Sequence, residues 1–532
     1  MERNLKMNNI NHIILCIIDD IRSEHFFQLI KEGKLPNFKR IMDNGVYCSN
    51  CITDFPSVTF PTQVSMITGT FTGDFRKEPC HGVPSFNWLD RAFAPPQIRS
   101  YMTYGTDKRI QIYKINDDIG DNCQTLLEMV GDVNTASITQ FINRGVTYFY
   151  PERKSKLALY YLLLRHTRRV EYNIWKANTM VVKKLLDTFK RPKKYFGTKE
   201  GPMASLLWFM SSDILMHLYG FDSNIYKKNL YHIDKVMGLF LKELKTLGVL
   251  DSTAIAITSD HGNYSADKIG NFKNLFERNG LTQYHHRKNL EGNSDIAEFT
   301  GVGLFNFKSQ ISNNGGWYHP SNKELESYGP KKVNLFSELF KIEGSELMYY
   351  RGEKNKLNSG TIQLRQKNPH TGDVYSASIE YNGIGKEYKT KYVLENPDHD
   401  PFNYIEDEIA SRLLDNKFHT NEEWLAATHH LDYPLYIDLL PRHFKNPRSS
   451  DIILSTRGKV VYNIKHGKKK RDGKFCHDIG LRESAVVPLI FGGTDEIPHI
   501  EKPYCNITDI VPTLLKMVNK KPHKSVTGRS LI

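Results

Sequence analysis

Short apolar runs that stop at an acidic residue recur along this chain. His12-Ile13-Ile14-Leu15-Cys16-Ile17-Ile18 ends at Asp19 and Asp20, and Ser205-Leu206-Leu207-Trp208-Phe209-Met210 runs into Ser211-Ser212-Asp213. Ala254-Ile255-Ala256-Ile257 leads to Thr258-Ser259-Asp260-His261-Gly262, where the glycine is expected to let the backbone turn sharply. Near the C-terminus, Asp451–Ser455 and Val486–Phe491 read as two further strands of the same core. Helical periodicity fills intervals between them, for example Tyr226–Leu247 and Asp509–Val518. Strands apolar on both faces, alternating with helices, predict an α/β fold with a doubly wound, mostly parallel sheet flanked by helices. Such sheets place their sites at the carboxyl ends of the strands, where these acids fall.

Two stretches break the alternation. Residues 150–200 are helix-like and basic, with 13 Lys/Arg from Arg153 to Lys194 against Glu171 and Asp187. Residues 340–405 carry short alternating runs such as Gly360–Leu364 and Ser376–Tyr381, which predict a β-rich insertion. The expected organisation is a first catalytic part over 1–315 that contains the basic helical insertion. A β-rich insertion or cap follows over 316–430, and a closing catalytic part over 431–532.

Charge narrows the partners. With 72 Lys+Arg against 59 Asp+Glu, the chain carries a formal +13, which suits anionic partners such as phosphate esters or anionic lipid heads. No pattern singles out a specific nucleic acid. Aromatics at helical spacing in the basic stretch (Tyr160, Tyr161, Tyr172, Trp175) read as core, and peripheral membrane contact through 153–194 is the functional alternative. No apolar run approaches the ~18 residues of a membrane span, and the segment Met1–Lys6 is not followed by a secretory h-region. The seven cysteines are scattered, and Cys48-x-x-Cys51 lacks a second pair. These features predict ordinary thiols and a reducing, cytoplasmic setting.

The strand-end acids acquire chemistry from nearby imidazoles. Asp213 and His217 are four residues apart, one helical turn, and share a face. His477 sits in Phe475-Cys476-His477-Asp478. With Asp19, Asp260 and His261, the set holds three carboxylates and three imidazoles, a donor mix that suits zinc, with manganese or iron as alternatives. Two such ions about 4 Å apart clamp both oxygens of an in-line displacement at phosphorus. A nucleophile is present in Val58-Thr59-Phe60-Pro61-Thr62-Gln63. Thr59 is expected in the N-cap region of a helix with Pro61 in its first turn, where a hydroxyl meets the positive end of the helix.

These segments resemble the alkaline phosphatase superfamily, in its type I phosphodiesterase/nucleotide pyrophosphatase branch. Ile18-Asp19-Asp20-Ile21-Arg22-Ser23-Glu24 is similar to "LDGFRxE", and Val58–Gln63 with Ile67-Thr68-Gly69 to "KTFPNH…TG". Asp213–His217 matches "DxxxH", and Ser259–Gly262 matches "SDHG". Asp509–Leu514 with Gly528–Leu531 resembles "DIxPTxL…GRSL". The resemblance covers about residues 10–310 and 435–532. It implies that one ion is held by Asp213, His217 and His477, and the other by Asp19, Asp260, His261 and the oxygen of Thr59. It also implies that Thr59 forms a phosphothreonine.

Departures from the pattern are specific. Asp478-Ile479 replaces the glycines after the last histidine, adding a carboxylate with a potential effect on metal choice or substrate charge. Asp20 replaces a glycine, and strand register favours Asp19 over it as the ligand. Asn87 is the candidate for the family's phosphate-binding asparagine. The sulfatase signature C/S-x-P-x-R is absent at Thr59–Gln63. The expected activity is hydrolysis of phosphodiester or pyrophosphate bonds in a nucleotide-like or other small phosphate ester. The alternatives are a phosphomonoesterase or phosphonate hydrolase on the same core, a phosphoethanolamine-type transferase, and a non-catalytic polyanion or membrane-surface binder.

Overall fold

A computed structural model describes residues 9–101, 110–166, 170–270, 273–311, 316–353, 355–462 and 474–532. The segment Met1–Lys6 and residues 167–169 of the basic insertion lie outside the described residues. A nine-stranded sheet forms the centre, in the order 500–502, 46–52, 486–492, 253–258, 12–18, 204–209, 135–138 and 148–150, with Cys505–Asn506 also paired to the 46–52 strand. From 253–258 to 148–150 all neighbours run parallel. Val486–Gly492 is antiparallel to both of its neighbours.

The reason the centre lies where it does is written in its burial. Ile13 to Ile18 have no exposed surface, because helices cover both faces of this strand. His12–Ile18 pairs with Ala204–Phe209 on one side and Thr253–Thr258 on the other; the next sheet strand in the chain, Val46–Ile52, lies on the 253–258 side and the following one, Thr135–Ile138, on the 204–209 side. The loops therefore part above the first strand and open a crevice there. Asp19, Asp213 and Asp260 follow these three adjacent parallel strands, which brings residues up to 241 positions apart to one edge.

A second sheet has eight antiparallel strands, in the order 294–299, 302–307, 452–455, 347–351, 359–367, 374–382, 389–394 and 419–420. It is wider than the 316–430 segment that the sequence marks off, since it draws strands from both flanks. Ile452–Ser455, expected in the parallel core, belongs here. Its residues are buried on both faces, and burial alone does not tell one sheet from the other. The 359–367/374–382 hairpin, in contrast, alternates: Ile362, Leu364, Ala377, Ile379 and Tyr381 point inward.

The basic insertion is helical, as expected, over Lys154–His166, Val170–Lys190 and Pro192–Phe196. Ile174, Val181 and Leu185 are buried in the main core, and Asn178 donates to Asn229 of the Asn224–Thr246 helix at 2.9 Å. Leu159, Leu163 and Tyr172 of the same insertion are exposed. Among the described residues no helix is long and apolar enough to cross a membrane.

Candidate metal centre and active site

The strand-end loops are tied to one another before any ligand is considered. The Asp19 amide donates to the Phe209 carbonyl (3.0 Å), extending the ladder by one residue. Asp20 then turns the chain at φ 61°, a conformation that aspartate tolerates better than most residues. Its amide donates to Asp260 Oδ1 (3.2 Å), and the next amide, of Ile21, donates to Ser259 Oγ (2.9 Å). Asp20 accepts from Asn263 Nδ2 through Oδ1, while Asp19 is the residue of the two that groups with Asp260 and His261.

Gly262 is required for a different reason from the one the sequence suggests. Its φ is not positive. A Cβ there would sit 2.1 Å from the Glu483 carbonyl oxygen, while Gly262 and Asn263 amides donate to Ser484 and Glu483 (2.8 and 2.9 Å). Close backbone approach, not a turn conformation, excludes a side chain.

Two trios of potential ligand atoms result, Asp19/Asp260/His261 and Asp213/His217/His477. In the first, His261 Nε2 lies 3.5 Å from Asp19 Oδ1 and 3.9 Å from Asp260 Oδ1. In the second, Asp213 Oδ1 lies 3.1 Å from His217 Nε2 and 3.9 Å from His477 Nε2. The trios adjoin, because the rings of His261 and His477 stack at 3.8 Å. Each imidazole places Nδ1 against a backbone carbonyl: His217 on Phe475 (3.0 Å), His261 on Gly262 (3.0 Å) and His477 on Ser57 (3.3 Å). A carbonyl only accepts, so Nδ1 carries a proton in all three and each ring turns its Nε2 to the centre.

The carboxylates are held as deliberately. Trp208 Nε1 donates to Asp19 Oδ2 (3.0 Å), and Gln63 Nε2 donates to Asp260 Oδ2 (2.7 Å). Gln140 Nε2 in turn donates to Gln63 Oε1 (2.8 Å). Asp19 Oδ1 remains buried without a hydrogen-bond partner. Burial, then repulsion from Asp260, Asp213 and Asp20, pushes the Asp19 carboxyl well above its usual range. Burial also acts on Asp213, but His217 and His477 outweigh it and hold that carboxyl low. Burial, with His261 and His217 nearby, lowers the His477 imidazole well below its usual value. An orphaned carboxylate oxygen among inward imidazole nitrogens is a donor set suited to cations, and each trio has residues that could hold a divalent ion. Trp208→Phe removes one anchoring bond while keeping the ring, and metal affinity measured by calorimetry is expected to fall about 10- to 100-fold.

Thr59 opens the helix Thr59–Thr68 as its first residue, with Val58 in the cap position and no side-chain capping bond. A merely capping threonine is thereby excluded. Its Oγ1 lies 3.1 Å from His261 Nε2, at the junction of the trios. The first backbone bond of this turn is Thr62 to Val58 (3.3 Å), so the hydroxyl stands at the open, positive end of the helix.

A cleft opens on Thr59, Asp19, Asp213, His217 and His477. Val58, Phe60, Phe86, Ile110, Phe141, and Trp208 supply most of its apolar wall. Glu298, from the second sheet, also lines it and was not signalled by any motif. The structure does not bring Asn87 to this cleft. It is fully buried on Asn87–Asp90, its Oδ1 accepts from Ser100 Oγ (2.6 Å), and the preceding residue, Phe86, lines the wall instead. Asp478 also turns away, accepting from Tyr264 Oη (2.9 Å), the Thr300 hydroxyl and the Val302 amide (2.8 Å). That carboxylate ties the second sheet to the His477 loop.

The profile of the type I phosphodiesterase / nucleotide pyrophosphatase family matches residues 13–324. The chain belongs to this family. It thereby belongs to the alkaline phosphatase superfamily, and its mixed α/β architecture agrees. The family match contains every residue of the two trios except His477, which the fold delivers from the closing part of the chain. A curated relative, human ectonucleotide pyrophosphatase/phosphodiesterase family member 5, is 21% identical over 254 residues. That alignment spans 47% of this chain and 44% of the relative. Murine ectonucleotide pyrophosphatase/phosphodiesterase 5, solved as an inactive threonine-to-alanine variant in complex with AMP, shares the fold with a TM-score of 0.50 at 14% identity over 96% of both chains. The human protein's structure gives a TM-score of 0.50 at 13% identity, over 96% of this chain and 95% of that one.

Proposed function

We propose that this protein hydrolyses phosphodiester bonds of a small phosphate ester through a covalent phosphothreonine at Thr59. The observation that carries the reading is Thr59 Oγ1 at 3.1 Å from His261 Nε2, where the two trios meet. In the reaction, the deprotonated Thr59 oxygen attacks phosphorus and the bond to the leaving oxygen breaks. Water then cleaves the bond between phosphorus and Thr59 and restores the hydroxyl. Asp213, His217 and His477 would hold one divalent cation, and Asp19, Asp260, His261 and Thr59 Oγ the other. Bound there, the cations, for which zinc suits the donors best, supply the charge that acidifies the hydroxyl and balances the phosphoryl oxygens. His261 and His477 keep their rings oriented through their Nδ1 bonds, and Asp19 is held by Trp208. Asn87 has no substrate contact in this proposal.

The AMP complex of a fold neighbour makes a nucleotide-derived ester one substrate class to test. Exposed Leu159, Leu163 and Tyr172, on an insertion rich in lysine, support a peripheral contact with an anionic membrane surface. We place the protein in a reducing, cytoplasmic setting, where its seven buried cysteines stay as thiols. The test is kcat/KM on bis(4-nitrophenyl) phosphate against 4-nitrophenyl phosphate with metal-loaded enzyme. A preference for the diester of about tenfold or more is expected, since a diester carries one charge fewer into an apolar cleft. A strong preference for the monoester would replace this reading with a phosphomonoesterase on the same centre.

A further inference from the structure

The cleft contains one ionisable group that belongs to neither trio. Glu298 is the penultimate residue of the strand Ser294–Phe299 of the second sheet and is 8% exposed. Its carboxyl is fixed from three directions. Ser85 Oγ donates to Oε2 at 2.6 Å, and the amides of Phe86 and Asn87 donate to the same carboxyl. Ser85 and Glu298 are 213 residues apart, so the fold builds this contact rather than inheriting it from local sequence.

Its side of the cleft can be read from its neighbours. Thr300, two residues on and also in the lining, donates to Asp478 and exchanges a hydrogen bond with Cys476. Cys476 and Asp478 flank His477. Glu298 and Thr300 thus line one cleft with Asp213, His217 and His477, whereas Thr59 is bonded to His261 of the other trio. An in-line displacement started by Thr59 expels its leaving oxygen toward the far trio.

We propose that Glu298 is the proton donor to the leaving oxygen, and that the bond cleaved is the ester of an unactivated alcohol rather than a pyrophosphate linkage. The assignment rests on the Thr59 reading above. As the bond from phosphorus to the leaving oxygen breaks, its electron pair stays on that oxygen, which takes the Glu298 proton and departs as the neutral alcohol. When water attacks the phosphothreonine, Glu298 takes a proton from that water and is restored, while Thr59 leaves as the oxyanion with which it began. An alkoxide needs such a proton because its conjugate acid, an alcohol, is far weaker than a phosphate or a nitrophenol, whereas a departing phosphate does not. Burial raises the Glu298 carboxyl to about 8, with Asp478 adding to the effect and the Ser85, Phe86 and Asn87 donors opposing it. Asp19, Asp213, His217, Cys476 and His477 share the cleft with it.

The experiment follows kcat/KM across symmetrical diaryl phosphates whose leaving phenols run from 4-nitrophenol to 4-methoxyphenol, extended to a symmetrical dialkyl phosphate, from which only an alcohol can leave. The wild type is compared with Glu298→Gln, which keeps the size and the acceptor for Ser85. A loss below about fivefold is expected on the 4-nitrophenyl ester, rising to about 100-fold or more on the poorest leaving group. Glu298→Asp, retracted by one methylene, should fall between the two. An equal loss on every ester, or none on any, would overturn the proton-donor assignment. Thr59→Ala run on the same series separates the two readings: if it is inactive throughout while Glu298→Gln loses rate uniformly, only the Glu298 proposal fails.

Discussion

Thr59→Ala is expected to lower kcat on a diester by about three to six orders of magnitude, with metal content unchanged from the Asp213/His217/His477 ion. The size of the effect follows from what Thr59 does and does not do in the structure. It is 5% exposed and lies in a fully buried helix, yet its hydroxyl makes no capping bond that folding requires. Removing it deletes the bond-forming atom while costing the fold about 1 kcal/mol or less. Thermal unfolding monitored beside activity checks both halves of this statement. Thr59→Ser keeps an oxygen at the same place and is expected to retain substantial activity, which a purely structural threonine would not explain. If Thr59→Ala hydrolyses the diester at the wild-type rate, the nucleophile has been misassigned.

Removing divalent metal is expected to have the second largest effect, abolishing activity and lowering the melting temperature together. Asp19, Asp20, Asp213 and Asp260 are buried at one sheet edge, and Asp19 Oδ1 and Asp20 Oδ2 have no hydrogen-bond partner. Uncompensated carboxylates in such a place oppose folding, and a cation relieves them. Restoring each ion to about a hundredfold excess over its Kd contributes roughly 3 kcal/mol, which calorimetry resolves as a shift of several degrees. Activity should return with the same titration. An unfolding temperature indifferent to chelation and re-addition would contradict the assignment of the trios.

Much of the candidate centre was legible because three of its carboxylates come just after apolar strands. A carboxylate at the end of His12–Ile18, or of Thr253–Thr258, can only fall at one edge of a parallel sheet, and the period of Asp213 and His217 places both on one helical face. His477 was legible as an imidazole between two expected core strands, but only the resemblance grouped it with Asp213 and His217, because it lies on a loop after a two-residue strand. Glu298 left a trace that pattern reading passes over, a lone acid within Ile296-Ala297-Glu298-Phe299, and its meaning depends on Ser85 in a distant loop. Asp478 misled for the opposite reason. Sequence shows a carboxylate beside a ligand, but only the fold shows Tyr264, Thr300 and Val302 turning it away. Ile452–Ser455 was placed in the wrong sheet because an apolar four-residue run carries no information about its partners.

The stereochemical course at phosphorus tests the central claim most directly. A diester made chiral at phosphorus with sulfur and oxygen isotopes is hydrolysed in labelled water, and the configuration of the product is determined by NMR. Attack by Thr59 followed by attack of water makes two in-line displacements, each inverting, so the account predicts net retention. Net inversion would mean that water attacks the substrate in a single step, and it would contradict the phosphothreonine at Thr59.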